Sequence, residues 1–320
     1  MEITLPTKPL YSVQDENGEV ALCTLSAVNL GALDSLDELE DITEIIVRAL
    51  DSLLDYQDYP LKSAELTSIN RRTLGIGVTN LAYYLAKNDA KYSDGSGNEL
   101  IHKTFEALQF YSLKASNKLA KELGACPLFS ETQYAKGILP IDTYKKDIDK
   151  FCGTKLELNW DKLRKDIVSK GLRNSTLTAL MPCESSSQIS NSTNGIEPPR
   201  GFVSIKQSKD GILKQVVPEY EKLHNKYELL WDIKDNEGYL QLCAIMQKFV
   251  DQSISTNTHY DPSQYDGNKV PMKLFMMDLL KAYKYGIKTL YYHTTRDGAS
   301  DEQNNGKPSD DDCEDGVCKL

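Results

Sequence analysis

The chain has 320 residues, with 37 Lys and Arg against 47 Asp and Glu, and a formal net charge of -10. Residues 297–320 hold eight acidic and two basic side chains, so this tail carries -6 and the remaining chain only -4. The body therefore offers no basic surface for nucleic acid or for a membrane. With 40% hydrophobic residues and no apolar run near 18 residues, the composition predicts a globular chain without a membrane span.

The cysteine usage and the N-terminal residues indicate in which cellular compartment the protein works. The start, MEITLPTKPL, has no apolar signal core, and the seven cysteines are an odd number, five of them placed singly in periodic segments. This is the usage of a reducing compartment, so we expect a cytoplasmic protein. Three of them are interpreted as small apolar residues of the core or surface: Cys126, Cys152 and Cys243.

The first half of the chain predicts one strand and three helices. EVALCTLSAVNLG alternates, so we expect a strand that turns Cys23 inward with Ala21 and Leu25. An amphipathic helix over 34–55 opens with Ser35 and Glu38 in capping-box spacing. Helices are also predicted over 72–87 and 100–123. The glycines of GIG at 75–77 lack a preceding apolar strand and a third glycine, so we interpret them as close helix packing and not as a nucleotide loop.

The second half repeats a pattern of helix, glycine and strand. WDKLRKDIVSK predicts a helix that Gly171 ends, followed by a strand up to Pro182; Pro271 begins a helix that Gly286 ends, followed by a strand in IKTLYYHT. This order is typical of an α/β barrel. Between the two units we expect a polar loop around NGIEPPRG, a hairpin at VSIKQSKDGILKQVV and a helix near 238–250. The polar, acidic composition after Asp297 predicts a disordered tail.

Three short stretches could carry chemistry. MPCESSSQIS begins a predicted helix, where backbone N–H groups and the hydroxyls of the serines could bind phosphate, or simply cap the helix. Tyr291 and Tyr292 are strand aromatics by default, although stacked phenols could pass an electron and a proton together. Cys313 and Cys318 are either a reversible dithiol or two incidental thiols; a metal site is not expected, because too few ligands lie nearby.

Taken in order, these stretches closely resemble the large, catalytic subunit of class I ribonucleotide reductase. The resemblance rests on WDKLRKDIVSKGLRNSTLTALMPCESSS, NGIEPPRG, the tyrosine pair and the C-terminal cysteine pair, and it covers residues 2–320. It implies a ten-stranded α/β barrel built from two antiparallel five-stranded halves. Residues 1–296 would be the C-terminal half of that barrel, and residues 297–320 a flexible redox-shuttle tail.

The resemblance also implies roles for individual residues. The helix start looks like the site for the substrate's diphosphate, formed by Pro182, Cys183, Glu184, Ser185 and Ser186. Cys183 stands where the family commonly has serine, so we expect the backbone N–H groups of the helix start to matter more than its side chain. Tyr291 and Tyr292 look like the last steps of a relay that brings a radical from the small subunit's tyrosyl and di-iron centre.

Four further residues match redox and acid–base positions of the family. Glu2 looks like the base for the substrate's 3′-hydroxyl, and Cys23 like one of two cysteines oxidised to a disulfide during turnover. Cys313 and Cys318 resemble the shuttle dithiol that reduces this disulfide and is itself reduced by thioredoxin or glutaredoxin. No cofactor is expected on this chain, and the expected substrate is a ribonucleoside diphosphate.

The chain departs from the family at its start. The family's finger loop reads Asn-x-Cys-x-Glu, and MEITLP begins one residue after the radical cysteine. The partner of Cys23, the effector-binding parts and half of the barrel are also missing. We therefore expect the C-terminal half of a split large subunit that assembles with a separate N-terminal half; the Met suggests a natural start, although a laboratory truncation would look the same. The alternative is a noncatalytic interaction module that binds the small subunit and competes with an intact enzyme.

Overall fold

The computed structural model describes residues 18–153, 155–208 and 211–296, and the backbone of two short segments, 313–314 and 317–318. The α-helices are α1 (Leu39–Tyr56), α2 (Lys62–Arg71), α3 (Leu81–Lys87), α4 (Asn98–Leu123), α5 (Pro140–Thr143), α6 (Trp160–Lys170), α7 (Glu184–Ile189), α8 (Tyr220–Leu223), α9 (Glu237–Gln247) and α10 (Met272–Tyr285). The strands are β1 (Leu25–Asn29), β2 (Gly75–Thr79), β3 (Val203–Ser208), β4 (Gly211–Val216), β5 (Thr256–Tyr260), β6 (Leu290–Thr295), β7 (Cys313–Glu314) and β8 (Val317–Cys318). Across the described ranges, no helix is long and apolar enough to cross a bilayer.

Five parallel segments lie side by side and form the framework. Strand β1 pairs in parallel with β2, and β5 pairs in parallel with β6. Single parallel bridges join these pairs through residues 176–180, from Ile76 to Thr178 and from Leu180 to Ile254. Since helices separate the segments along the chain, the arrangement is the α/β architecture that the sequence predicts, and its five parallel segments fit one half of the expected barrel.

Helices α1 and α4 pack in parallel on the outside of this framework. Their exposed edges are joined by three ion pairs of identical sequence separation: Glu40–Lys114, Glu44–Lys118 and Arg48–Glu122. Exposed pairs of this kind add little stability, so apolar burial holds the helices together. The predicted capping box is confirmed, with Ser35 and Glu38 bracketing a short 3-10 turn before α1 begins.

The prediction of one helix over 72–87 is wrong, because its first half is strand β2. Arg72 ends helix α2 in the left-handed region, with a φ of 50°, and residues 75–79 are extended and fully buried. A side chain at Gly77 would place its Cβ 2.7 Å from Met181 Sδ and 2.8 Å from the Ala179 carbonyl oxygen. The glycine therefore allows the close approach that the sequence indicates, but between neighbouring extended segments and not between helices.

The predicted strand before Pro182 is extended but lacks a regular ladder. Its backbone N–H groups at Leu177 and Thr178 donate to the buried carboxylate of Asp251, both at 2.9 Å. Tyr134 donates its hydroxyl to the same carboxylate at 2.8 Å. Burial raises the pKa of Asp251, and the hydrogen bonds from the two backbone groups oppose that rise. The carboxylate of Asp251 therefore accepts backbone hydrogen bonds that a neighbouring strand would otherwise accept.

The other predictions for the second half are confirmed. Helix α6 ends at Gly171, and α10 follows Pro271 and ends at Gly286, whose φ of 81° is the left-handed C-cap conformation. Strands β3 and β4 form the predicted hairpin, and α9 covers most of the stretch from 238 to 250. Helix α7 follows the third parallel segment, and the loop at 192–201 lies beside the end of β2, where the Thr79 hydroxyl donates to the carbonyl oxygen of Thr193 at 2.8 Å.

Candidate active site

Helix α7 begins where the sequence predicts, directly after the third parallel segment. Cys183 is its N-cap and is 4% exposed, with Sγ 3.6 Å from the carbonyl oxygen of Val78. Its backbone N–H group donates to Asn194 Oδ1 at 2.8 Å. The loop therefore already uses the N–H group of Cys183, and the role expected of backbone N–H groups stays with the residues that follow it. Burial raises the pKa of the Cys183 thiol, which keeps the thiol neutral at pH 7.

The donors available to an anion are fewer than the sequence suggests. The first bond within the helix runs from Ser187 N–H to the carbonyl oxygen of Cys183 at 2.8 Å, and the N–H groups of Ser185 and Ser186 precede it in the first turn. The Ser187 hydroxyl is buried and donates to the carbonyl oxygen of Glu184 at 3.0 Å, so this hydroxyl faces the helix. Pro182, Glu184, Ser185 and Ser186 are exposed at the helix start.

A cavity of about 390 Å³ lies beside this helix, between α7, the loop at 192–201 and the hairpin of β3 and β4. Its volume is in the range of small-molecule sites. The polar and charged residues that line it include Glu184, Ser187, Asn194, Glu197, Arg200 and Gln215. Glu197 and Arg200 belong to NGIEPPRG, a stretch that supports the resemblance but to which the sequence analysis assigns no role.

Glu197 lies close to Asn257 and His259, two residues that the sequence does not mark as part of a site. Burial raises the pKa of its carboxyl group, the hydrogen bond from Asn257 and the charge of Arg200 lower it, and Glu184 raises it. His259 Nε2 lies 3.8 Å from Glu197 Oε1. Burial lowers the pKa of His259 to about 4, so the imidazole is neutral at pH 7. Neither ring nitrogen has a hydrogen-bond partner among the described residues. No local pattern marks His259, because its surroundings come from distant parts of the chain.

The tyrosine pair is exposed on strand β6, with Tyr291 53% and Tyr292 57% exposed. The ring centroids are 4.1 Å apart, the planes are tilted by 49°, and the two phenolic oxygens are 3.4 Å apart. The hydrogen bond with Tyr291 raises the pKa of Tyr292, and the carboxylate of Glu184 adds to the rise. The two rings are therefore in contact, and Tyr292 is neutral at pH 7 and within electrostatic reach of the start of α7.

The inward orientation predicted for Cys23 is wrong. Cys23 precedes β1 and is exposed, as are Ala21 and Leu25, the latter 46% exposed. Leu22 is exposed as well, so exposure does not alternate over residues 21–23. The alternating sequence pattern does not decide which residues the rest of the molecule covers.

Three predicted site residues lie wholly or partly outside the described residues. Glu2 is one of them, so its expected role as a base is not tested. For Cys313 and Cys318 the backbone alone is described: β7 and β8 are antiparallel neighbours, and the two cysteines are directly paired in register. Paired Cα atoms in an antiparallel ladder are about 4.5–5.5 Å apart, a separation that a disulfide can bridge.

Comparison with known proteins shows which family the chain belongs to. The sequence profile of the ribonucleotide reductase barrel domain matches residues 1–293. Since the match spans most of the chain, the chain belongs to the ribonucleotide reductase barrel-domain family. The region it represents is the C-terminal part of the large, alpha subunit.

Individual relatives agree with this assignment. The chain is 66% identical to the ribonucleoside-diphosphate reductase subunit alpha of Haemophilus influenzae over 320 residues, which are 100% of this chain and 42% of the relative. It is 66% identical to ribonucleoside-diphosphate reductase 1 subunit alpha of Escherichia coli over 269 residues, 83% of this chain and 35% of the relative. It is 49% identical to the alpha subunit of Enterobacteria phage T4 over 324 aligned positions, 100% of this chain and 42% of that relative. The chain thus spans about two fifths of the length of the curated relatives it matches.

Proposed function

We propose that this chain is the C-terminal part of the catalytic subunit of a ribonucleoside-diphosphate reductase, an oxidoreductase that works with a separate small subunit. The observation that carries the proposal is the exposed, stacked pair of Tyr291 and Tyr292 beside the start of α7. Aromatic residues that only pack a strand are usually covered, whereas these phenols are in contact with each other and open to a partner.

The reaction converts a ribonucleoside diphosphate and two thiols into a deoxyribonucleoside diphosphate, one disulfide and water. Cys23 supplies one thiol, and its exposed position leaves it accessible to a cysteine from the rest of the subunit. Glu2 acts as the base for the 3′-hydroxyl. Thiol–disulfide exchange with Cys313 and Cys318 then restores the Cys23 thiol and leaves the tail pair oxidised. Thioredoxin or glutaredoxin reduces the tail pair.

The tyrosines move an electron and a proton together. The small subunit's di-iron tyrosyl centre supplies the oxidising radical when the two subunits are associated. Within this chain, an oxidised phenol takes an electron and a proton from its stacked neighbour, so the radical passes between Tyr292 and Tyr291 with no net change of charge. The phenolic oxygens, 3.4 Å apart, support this transfer.

The substrate's diphosphate would lie at the start of α7. The N–H groups of Ser185 and Ser186 precede the first bond within the helix, and both residues are exposed. The Ser186 hydroxyl donates to the carbonyl oxygen of Cys183 at 3.3 Å. This site offers fewer hydrogen-bond donors than the sequence predicts, because the Cys183 N–H group and the Ser187 hydroxyl donate to groups within the protein. The remaining length of the subunit, supplied by a separate chain in the cytoplasm, would complete the site.

The proposal is tested by purifying this chain under native conditions from its source. The preparation is assayed for conversion of a labelled ribonucleoside diphosphate to its 2′-deoxy form, with dithiothreitol as reductant. We expect activity together with a companion polypeptide that carries the missing cysteine. A preparation that lacks activity, binds the small subunit and inhibits an intact reductase would instead identify a noncatalytic interaction module.

A further inference from the structure

The stacking of Tyr291 on Tyr292 is unusual for neighbours in a strand. Successive side chains of a regular strand point to opposite faces, so adjacent rings do not meet. Here the ring centroids are only 4.1 Å apart, and Tyr291, Tyr292 and His293 are all exposed. Something in β6 must therefore interrupt the alternation.

The interruption is a bulge in the pairing of β5 with β6. Thr256 is in register with Leu290, and Thr258 with His293, so one residue of β5, Asn257, stands opposite both tyrosines. A bulge of this kind puts two residues against one and changes the direction of their side chains. The extra residue in β6 explains how the two rings come to lie on one side.

Asn257 holds the bulge from across the sheet. Its Oδ1 accepts a hydrogen bond from the backbone N–H of Tyr292 at 2.9 Å, in place of a ladder bond. Its Nδ2 donates to Glu197 Oε1. Asn257 is 7% exposed, so its amide has both ends occupied in a mostly buried setting, where a lost partner is costly. Glu197 in turn lines the cavity beside α7.

We propose that Asn257, held by Glu197, is the positioning residue that keeps Tyr291 and Tyr292 stacked. The amide must accept from Tyr292 and donate to Glu197 at the same time, which fixes its orientation. The bond to the Tyr292 backbone stabilises the bulge, and the bulge sets the direction of both rings. NGIEPPRG thereby contributes to the tyrosine pair through Glu197, although the two stretches are far apart in the sequence.

The consequence for turnover rests on the proposed function of the tyrosines as a radical relay. Transfer of an electron and a proton between two phenols depends steeply on their separation, and misplacing reacting groups by about 1 Å can cost up to ~100-fold in rate. Loss of the Asn257 bonds should therefore lower kcat and leave KM for the ribonucleoside diphosphate nearly unchanged, because the start of α7 is not altered.

Three variants of the full chain separate the two bonds of Asn257. Asn257→Ala removes both. Asn257→Asp keeps the acceptor for Tyr292 but sets a second carboxylate against Glu197. The double variant Glu197→Gln with Asn257→Asp exchanges the amide and the carboxylate, so both hydrogen bonds are available again. Urea unfolding of each variant identifies any that do not fold.

The first readout is fluorine NMR of fluorotyrosine at position 292, titrated with pH. In the parent chain, contact with Tyr291 raises the pKa of this phenol. We expect Asn257→Ala and Asn257→Asp to shift the titration down towards that of a free phenol, and the double variant to restore it. An unchanged titration in both single variants, or a double variant no better than Asn257→Asp, would overturn the positioning role.

The second readout is turnover in the complex with the rest of the subunit and the small subunit. We expect a loss of roughly tenfold or more in kcat for the two folded single variants and recovery in the double variant. If the fluorine titration shifts as expected but turnover does not fall, Asn257 positions the pair and the relay function of the tyrosines is wrong. The fluorine titration therefore tests the positioning role of Asn257, and turnover tests the relay function of the tyrosines.

Discussion

Tyr292 shows how one residue can serve the backbone and the chemistry through different atoms. Its N–H group is bound by Asn257, while its phenolic oxygen lies 3.4 Å from that of Tyr291. A phenol holds its proton at pH 7, and contact with Tyr291 raises the pKa of Tyr292 further, so both an electron and a proton can leave from it together. The backbone hydrogen bond to Asn257 sets the direction of the ring, and the phenolic group remains available to contact Tyr291.

Replacing either tyrosine by phenylalanine separates packing from transfer. Tyr291→Phe and Tyr292→Phe each remove one oxygen, so folding and substrate binding should persist, with a loss of about 1 kcal/mol for a hydrogen bond. Turnover in the assembled enzyme should vanish, because phenylalanine cannot be oxidised at that step. The measurement is ribonucleoside diphosphate reduction, with the small-subunit radical quantified in the same sample.

The matched control is Tyr283→Phe on α10, another exposed tyrosine that is 75% exposed and outside the site. It should keep full turnover. A variant of Tyr291 or Tyr292 that retains more than a few per cent of the parent activity would return the pair to a packing role.

The cysteines should differ in which reductant they need. Cys313→Ser or Cys318→Ser should stop turnover supported by thioredoxin and spare turnover supported by dithiothreitol, because the small thiol reaches the exposed Cys23 directly. Cys23→Ser should impair both. The two assays are run on the same assembled enzyme, and equal thioredoxin-supported rates in the tail variants and the parent would exclude the shuttle role.

Among the elements, those with strong local signals could be predicted and those defined by distant contacts could not. The caps of α1 and α10 and the glycine after α6 mark helix ends within a few residues. The sequence does not distinguish strand β2 from a helix, because GIGVT is short, buried on both faces and without alternation. The pattern around Cys23 predicts an extended segment but not its exposure. No local sequence pattern marks Glu197 or Asn257, because they are 60 residues apart and Asn257 is 35 residues from Tyr292.

Gly77 gives a stability test of the strand that was missed. Gly77→Ala should destabilise the chain by about 1–3 kcal/mol, because the new Cβ would meet the Ala179 backbone oxygen and Met181. Gly153→Ala is the control: an added Cβ there meets nothing within 4 Å, so the free energy of unfolding should change by less than about 1 kcal/mol. Urea unfolding measures both. Equal stability of the two variants would contradict the close packing of β2.

At the scale of the whole molecule, the described framework has an open edge. Strand β1 pairs with β2 on one side, and within residues 18–153, 155–208 and 211–296 no strand pairs with its other side. Leu25, the first residue of β1, is 46% exposed, and Leu22, which precedes the strand, is 37% exposed. Open strand edges and exposed apolar side chains favour association with another chain. Under the proposed function, the partner at this edge is the N-terminal part of the large subunit.

The most direct test is reconstitution from purified components, with reduction of a ribonucleoside diphosphate as the measured quantity. This chain with the small subunit alone should give no turnover, because under the proposed function the N-terminal part of the large subunit supplies the radical cysteine. Adding the N-terminal part of the large subunit should restore turnover, and Tyr292→Phe in this chain should abolish it again. Turnover by this chain and the small subunit alone would contradict the account, as would a complete mixture that assembles and remains inactive.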